Sequence, residues 1–170
     1  MDVLKAIEAR RSIRKYKSAS IPGGDLRKIV EAARLAPSAG NRQPWRFIVA
    51  RDSELKRRIA EAAREQMFIA DAGAVVVAMA DAEASPRWFE KDTMIAVEHM
   101  VLAATSLGYG TCWIGAFTEE EVKRILGIPE GLRVVALLPV GVPDESPGPK
   151  PRRPLDEIFH GEKYGKKLEL

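Results

Sequence analysis

Cysteine, histidine and side-chain amides are all scarce in this sequence. Cys112 is the one cysteine among 170 residues, and His99 and His160 are the two histidines. A disulfide needs two cysteines, so an internal disulfide is excluded, as is any multi-cysteine zinc or iron–sulfur site. The chain has three amides, and two of them, Asn41 and Gln43, lie within three residues. This clustering indicates that the loop holding them has a function.

Several motifs of common enzyme classes are also missing. The sequence contains no Gly-x-x-x-x-Gly-Lys phosphate loop, no Gly-x-Ser-x-Gly nucleophile elbow and no His-Glu-x-x-His zinc motif. Gly108-Tyr109-Gly110 does not complete the dinucleotide pattern Gly-x-Gly-x-x-Gly, because Trp113 stands at the third glycine position. Neither a P-loop nor a Rossmann fingerprint is therefore expected.

Long apolar runs are absent as well. The most apolar segment, Ala74–Ala80, is far shorter than the about 20 residues of a spanning helix. The start of the chain carries acidic residues and no cleavage region, so we expect a cytoplasmic protein without signal peptide or membrane contact. The net charge of +3 is too small for a nucleic-acid partner but suits an anionic ligand. With 46% hydrophobic residues, residues 1–170 are predicted to form a single domain.

Apolar periodicity and turn residues predict helices mixed with short strands. Asp2 can cap a helix that carries Val3, Leu4 and Ile7 on one face, and Gly127 can end a helix over 118–126. Other helices are predicted between Gly24 and Pro37, at 52–65 and at 92–107, with strands at 45–50, 73–80, 111–114 and 134–140. Because the two types do not alternate strictly, the predicted fold class is α+β.

The C-terminal tail predicts an assembly. It holds five prolines from Pro143 to Pro154, followed by the apolar residues Leu155, Ile158 and Phe159. Such a segment cannot form its own core, so its apolar side chains must pack elsewhere. A partner subunit is the natural place, as it is for the long apolar helix at 92–107.

Basic side chains are concentrated in two segments. Arg10-Arg11-Ser12-Ile13-Arg14 places three guanidinium groups and a hydroxyl at a helix end, and Lys150-Pro151-Arg152-Arg153-Pro154 lies in the tail. Charge-assisted hydrogen bonds from such groups can bind a phosphate. The alternatives are a solvated helix end that complements the helix dipole and an ordinary basic linker.

Two further segments combine small residues with polar groups. Pro37-Ser38-Ala39-Gly40-Asn41-Arg42-Gln43-Pro44-Trp45 would let a planar ligand approach the backbone, although these residues are also common turn formers. Thr111-Cys112-Trp113-Ile114-Gly115 is a strand end that opens into a glycine, where backbone N–H groups could meet a ring nitrogen. A core strand followed by a turn is the alternative.

Together, and in this order, the four segments resemble the FMN-dependent nitroreductase family from end to end. The resemblance implies a nitroreductase-like fold, with helices around a central mixed or antiparallel sheet. It also implies a homodimer that binds FMN at each of two subunit interfaces, with the C-terminal tail of each chain packed on the partner.

The same resemblance implies roles for individual residues. The Arg10–Arg14 segment and the basic tail would hold the FMN phosphate and ribityl chain, the Pro37–Asn41 loop would line the partner's flavin, and the backbone at Ile114 and Gly115 would meet flavin N5 and O4. The residues expected at the cofactor are Arg10, Arg11, Ser12, Arg14, Pro37, Ser38, Ala39, Asn41, Gln66, Ile114, Gly115, Lys150, Arg152 and Arg153.

Gln66 marks a departure from the family pattern. Larger nitroreductases carry an asparagine and a lysine at the flavin just ahead of the second strand, whereas this chain reads Glu65-Gln66-Met67-Phe68. Gln66 is expected to substitute there. The positive charge near flavin N1 then rests mainly on Arg14.

The activity implied is transfer of hydride from NAD(P)H through flavin N5 to an electron-poor acceptor, such as a nitroaromatic or quinone, with ping-pong kinetics. Since the flavin carries the chemistry, no catalytic side chain and no metal is predicted. Trp88 and Phe89, in a connection predicted at 81–91, are expected to cover the site and stack on substrates; alternatively, one of them anchors the connection in the core. Enone reduction, dehalogenation and a non-catalytic flavin sensor remain alternative functions.

Overall fold

A computed structural model describes residues 1–169. In chain order, the helices are α1 (Val3–Ala9), α2 (Gly23–Arg34), α3 (Ser53–Ala62), α4 (Phe68–Asp71), α5 (Phe89–Ser106), α6 (Glu119–Leu126) and α7 (Leu155–Ile158). The strands are β1 (Trp45–Ala50), β2 (Ala74–Asp81), β3 (Gly110–Thr111) and β4 (Leu132–Gly141), and Ala39–Asn41 forms a 3₁₀ turn.

The four strands form one antiparallel sheet in the order β1-β2-β4-β3. β2 lies between β1 and β4, and Ala74–Ala80 is completely buried. Alternate residues of a strand point to opposite faces. Val76 therefore packs with α2 and α5 on one face, while Val75 and Val77 pack with α3, α4 and α6 on the other. The predicted α+β class and the layering of helices around an antiparallel sheet are confirmed.

Local signals place most element ends correctly. The Asp2 carboxylate accepts a hydrogen bond from the Lys5 N–H and begins α1, β1 has the predicted bounds, and Gly127 ends α6 with a left-handed φ of 65°. The predicted connection at 81–91 is too long, because the Ser85 carbonyl accepts hydrogen bonds from Trp88 and Phe89 and α5 begins at Phe89.

Two other differences concern short elements. α4 and α7 have four residues each and are too brief to show a periodic pattern in the sequence. The strand predicted at 111–114 is reduced to Gly110–Thr111, with one further bridge between Ile114 and Leu137.

Large apolar side chains of α1, α5 and α7 remain uncovered within the chain. Leu4 and Leu155 are 69% and 66% exposed. Six further apolar side chains in or next to these helices are also exposed: Val3, Ile7, Met94, Ile95, Ile158 and Phe159. Among the residues described, no helix has the length and apolar character to cross a membrane.

Candidate functional site

A cavity of about 540 Å³ lies between the end of α1 and the segment that follows β4. The polypeptide after α1 is hydrogen-bonded to β3 on one side and to the segment after β4 on the other. The Ile13 N–H donates to the Thr111 carbonyl at β3, the Lys17 N–H donates to the Val142 carbonyl, and the Asp144 N–H donates to the Lys15 carbonyl. These bonds bring the two basic segments together from opposite ends of the chain. The wall consists of Ile7, Glu8, Arg10, Arg11, Ser12, Arg14, Glu145, Pro147, Gly148, Pro149, Lys150 and Arg152.

The charges around this cavity favour an anion. Three arginines and Ser12 from the first segment face Lys150 and Arg152 from the second, while Glu8 and Glu145 contribute the acidic groups. Five cationic side chains thus oppose two carboxylates. Guanidinium, ammonium and hydroxyl donors converging on one space are the groups that bind a phosphate monoester.

Arg11 forms hydrogen bonds within the cavity wall. Its Nη1 donates to the carbonyls of Glu8 and Arg10 at 2.6 and 2.8 Å, which satisfies carbonyl groups at the end of α1. Its Nε is buried and has no partner among the residues described. A buried donor without a partner is uncommon in proteins.

Glu145 is a wall residue that the sequence analysis does not single out. Its carboxylate accepts a hydrogen bond from the backbone N–H of Arg14. This bond joins the segment after β4 to the segment after α1 within the cavity wall. A lone glutamate in a proline-rich tail carries no sequence signal for such a role.

Cys112 and His99 fit the core rather than the chemistry. Cys112 lies behind Ser12, and burial raises the pKa of its thiol above the ordinary value. A neutral buried thiol is a small apolar side chain and a poor nucleophile. His99 places Nδ1 3.2 Å from the Ala32 carbonyl, which accounts for this partly buried ring.

The Ile114–Ala116 segment lies outside the cavity wall. Ile114 exchanges two backbone hydrogen bonds of 3.0 Å with Leu137 and is buried. Gly115 is exposed, its N–H takes part in none of the hydrogen bonds found within residues 1–169, and a Cβ added there would meet nothing within 4 Å. Of this pair, Gly115 has the backbone donor that a ligand can reach.

Gln66 supports the same segment from behind. Its Nε2 donates to the carbonyls of Ala63 at 2.8 Å and Ala116 at 3.1 Å. Both amide hydrogens are therefore used within the chain, and the amide oxygen is the group left for a ligand. Gln66 is partly buried and, like Gly115, does not line the cavity.

The loop from Pro37 to Gln43 lies away from the cavity wall. Gly40, Asn41 and Gln43 all have positive φ, at 57°, 54° and 48°. For the two residues with a Cβ this backbone conformation is strained, and such strain is concentrated at functional sites. Ser38 Oγ accepts from the Gln43 N–H at 2.9 Å, and Asn41 Oδ1 lies 3.2 Å from Gln43 Nε2, so the hydroxyl hydrogen and Asn41 Nδ2 remain as donors.

Three other predicted residues also lie outside the cavity wall. Trp88 is 45% exposed, with Lys91 Nζ 4.6 Å from its ring centre, and Phe89 is partly buried at the start of α5. Arg153 is exposed and, unlike Arg152, does not line the cavity. Within the part of the chain described, no group of three or more His, Cys, Asp or Glu residues is arranged to hold a metal ion.

Comparisons with known proteins converge on one family. A sequence profile of the Nitroreductase family matches two overlapping segments, residues 7–83 and 68–142. A protein of Archaeoglobus fulgidus, named provisionally as an NADH dehydrogenase/NAD(P)H nitroreductase, is 40% identical over 151 residues, covering 85% of this chain and 87% of the relative. The FMN reductase [NAD(P)H] of Bacillus subtilis is 30% identical over an alignment of 191 residues, covering 99% of this chain and 77% of that protein.

A solved structure extends the similarity to the fold. The crystal structure of a nitroreductase family protein from Clostridium novyi NT is 38% identical, with a TM-score of 0.81. The match covers 99% of this chain and 97% of that one. The order of helices and strands described above is therefore shared along nearly the whole length of both chains.

Proposed function

Because the chain belongs to the nitroreductase family, we propose that it passes hydride from NAD(P)H through FMN to an electron-poor acceptor such as a nitroaromatic or a quinone. It is an NAD(P)H-dependent flavin oxidoreductase. The observation that carries the proposal is the single cavity in which Arg10, Ser12 and Arg14 meet Lys150 and Arg152. Residues 1–170 then act as one FMN-binding domain.

The donor set of the cavity fits the phosphate and ribityl chain of FMN. Arg10 and Ser12 bind the phosphate from one side, and Lys150 and Arg152 bind it from the other. Arg11 supports this wall from the end of α1, where its Nη1 donates to the carbonyls of Glu8 and Arg10. Arg14 would lie near the ring of bound FMN, where its positive charge would favour electron density on the pyrimidine edge.

Gly115 and Gln66 orient the flavin ring. When bound, FMN supplies N5 as the atom that receives and releases hydride. The free N–H of Gly115 would be a donor for the N5–O4 edge of bound FMN, and Gln66 holds the backbone that follows through its bond to the Ala116 carbonyl. Ile114 contributes position rather than a donor, since both of its backbone groups bond to Leu137.

The loop Pro37–Asn41 serves the flavin of a second subunit. It does not line the cavity of its own chain, yet its Ser38 hydroxyl, Asn41 amide and strained backbone have the features of a binding loop. The exposed apolar side chains of α1, α5 and α7 supply an interface for a homodimer, with the C-terminal tail packed on the partner.

NAD(P)H and the acceptor would use the same face of bound FMN in turn. The donor must then leave before the acceptor enters, which gives ping-pong kinetics. None of these residues needs to move a proton as a general acid or base. The chain's part is to hold the flavin, exclude alternative ligands and admit the two substrates in turn.

The visible spectrum tests this function directly. We expect the purified protein to show flavin absorption, to bleach when NAD(P)H is added under nitrogen, and to recover its colour when a nitroaromatic or quinone follows. A protein that binds flavin but is not reduced by NAD(P)H would be a flavin-binding protein instead. A protein with no affinity for FMN would contradict the proposal altogether.

Arg152 and Arg153 offer a matched pair for the phosphate assignment. Arg152→Ala should weaken FMN binding at most about fivefold, because an exposed ion pair contributes roughly 0.2–1 kcal/mol. Arg153→Ala should bind FMN as the parent does, since Arg153 does not line the cavity. Fluorescence titration with FMN measures both affinities, and an effect confined to Arg153→Ala would reverse the assignment.

Trp88 is the residue we propose for acceptor stacking. Trp88→Ala should raise the KM for aromatic acceptors severalfold, because an aromatic pair contributes about 0.5–1.5 kcal/mol beyond burial. FMN affinity should stay at the parental value, as should the KM for a non-aromatic acceptor such as ferricyanide. Steady-state kinetics with both acceptors measures this, and an equal change for the two would place the aromatic binding site elsewhere.

A further inference from the structure

Unsatisfied polar groups are concentrated around the start of α5. Ser85 Oγ, Asp92 Oδ2 and Thr93 Oγ1 are buried without a hydrogen-bond partner among residues 1–169. Asp92 is the most costly of the three, because it is a carboxylate that is only 4% exposed. A buried charge with an unpaired oxygen destabilises a fold unless its other contacts compensate. Such a group calls for an explanation beyond packing.

The paired oxygen of Asp92 supplies that explanation. Asp92 Oδ1 accepts a hydrogen bond of 3.1 Å from the backbone N–H of Ala39, across 53 positions of sequence. Ala39 begins the 3₁₀ turn within the strained loop Ser38–Gln43. The other side-chain hydrogen bonds of this loop join residues at most five positions apart. Asp92 is thus the side chain that ties the loop to a distant helix.

Asp92 also lies one helical turn after the aromatic residues. Its N–H donates to the Trp88 carbonyl at 2.8 Å, and the Phe89 N–H donates to the Ser85 carbonyl at 2.9 Å. The loop at Ser38–Gln43 and the pair Trp88–Phe89 therefore share one rigid support, the first turn of α5. A shift of this support moves both segments together.

Fold stability alone does not account for an aspartate here. The first turn of a helix favours a negative charge, but Glu90 supplies one at the surface without burial. An apolar residue at position 92 would remove the unpaired oxygen and lose a single hydrogen bond. The bond to Ala39 is the specific consequence of a carboxylate at this place.

We infer that Asp92 is a positioning residue, which holds the Ser38–Gln43 loop at a fixed place relative to Trp88 and thereby aligns the loop's donors and the aromatic ring on one flavin. The inference rests on the proposed function for the identity of the ligand. The anchoring itself is a property of the chain alone.

Hydrogen exchange of the full-length chain without added FMN tests the anchoring. Asp92→Ala should speed exchange of the Ala39 amide hydrogen about tenfold to a hundredfold, which corresponds to losing a hydrogen bond to a charged group. Amides in β2 should keep the parental rate. Asp92→Asn retains an acceptor oxygen and should restore part of the protection at Ala39, because a neutral acceptor forms a weaker hydrogen bond. Glu90→Ala removes a charge from the same helical turn and should leave Ala39 unchanged.

Several results would contradict the anchoring role of Asp92. Unchanged exchange at Ala39 in Asp92→Ala would show that Asp92 does not hold the loop. Equal acceleration in β2, or a variant that does not fold, would show that Asp92 serves global stability instead. A second readout is FMN titration, in which Asp92→Ala should weaken binding severalfold and Asp92→Asn should not. If exchange responds as expected but no variant or parent binds FMN, the anchoring stands and the proposed function fails.

Discussion

Arg10→Ala is expected to fold normally and to lose FMN on dialysis. Arg10 faces the cavity from the end of α1, and its side chain forms no hydrogen bond within residues 1–169. Its backbone N–H, which donates to the Ala6 carbonyl at 2.9 Å, is kept by alanine. A charge-assisted bond from a partly buried guanidinium to phosphate contributes roughly 1.5–3 kcal/mol, so FMN affinity should fall about tenfold to a hundredfold.

Equilibrium dialysis followed by flavin absorbance measures the loss, and circular dichroism checks the fold. Arg27→Ala is the matched control, because Arg27 is an exposed arginine on α2, outside the cavity wall. The control should retain FMN with the parental affinity. If Arg10→Ala also retained it, the phosphate would have to bind elsewhere and the cavity would lose its proposed role.

The sheet and most helices of this chain are predictable because their signals are local. Trp45–Ala50 and Gly127 show the point: a run of aromatic and β-branched residues indicates the strand, and a glycine that adopts a left-handed conformation ends the helix. The two basic segments are also visible in the sequence as residue types. Their meeting in one cavity is a long-range result, which depends on how β3, β4 and the end of α1 pair.

The residues that sequence reasoning misses have tasks set by tertiary contacts. Glu145 bonds to the Arg14 N–H, and Asp92 bonds to the Ala39 N–H, and neither backbone partner can be recognised from side-chain type. α5 also carries Glu90, Lys91 and Glu98, so the acidic side chain of Asp92 does not stand out in the sequence. Gln66 and Arg11 are visible as candidates, but their bonds to backbone carbonyls are not.

The exposed apolar side chains of α1, α5 and α7 have no explanation within a single chain. Periodicity correctly places Val3, Leu4 and Ile7 on one face of α1, and all three are exposed. A hydrophobic pattern reports that a surface is covered, without saying by which chain. The proposed homodimer assigns the cover to a second subunit, and this assignment leads to the most discriminating experiment.

Mixed dimers should recover activity that neither variant has alone. In the proposed homodimer, each flavin is bound by the phosphate-binding residues of one subunit and by the Ser38–Asn41 loop of the other. The experiment pairs an Arg10→Ala chain with a Ser38→Ala/Asn41→Gly chain. One of the two sites then has no substitution, and the other site carries the substitutions of both chains. Glycine is chosen at position 41 because it accepts the φ of 54° without strain. Purified mixed dimers, carrying two different tags, should bind about half the FMN of the parental dimer.

The reciprocal pairing inverts the expectation and completes the test. In this pairing, one chain carries all three substitutions and the other is parental. If two subunits share each flavin, each site contains either the altered Arg10 position or the altered loop, so neither site is intact. If each flavin were instead held by a single subunit, this pairing would keep one intact site and the first pairing would keep none. FMN content and nitroaromatic reduction of the two mixed dimers therefore move in opposite directions under the two arrangements. Recovery in the reciprocal pairing alone, or a fully loaded monomer in sedimentation, would show that the loop serves its own chain.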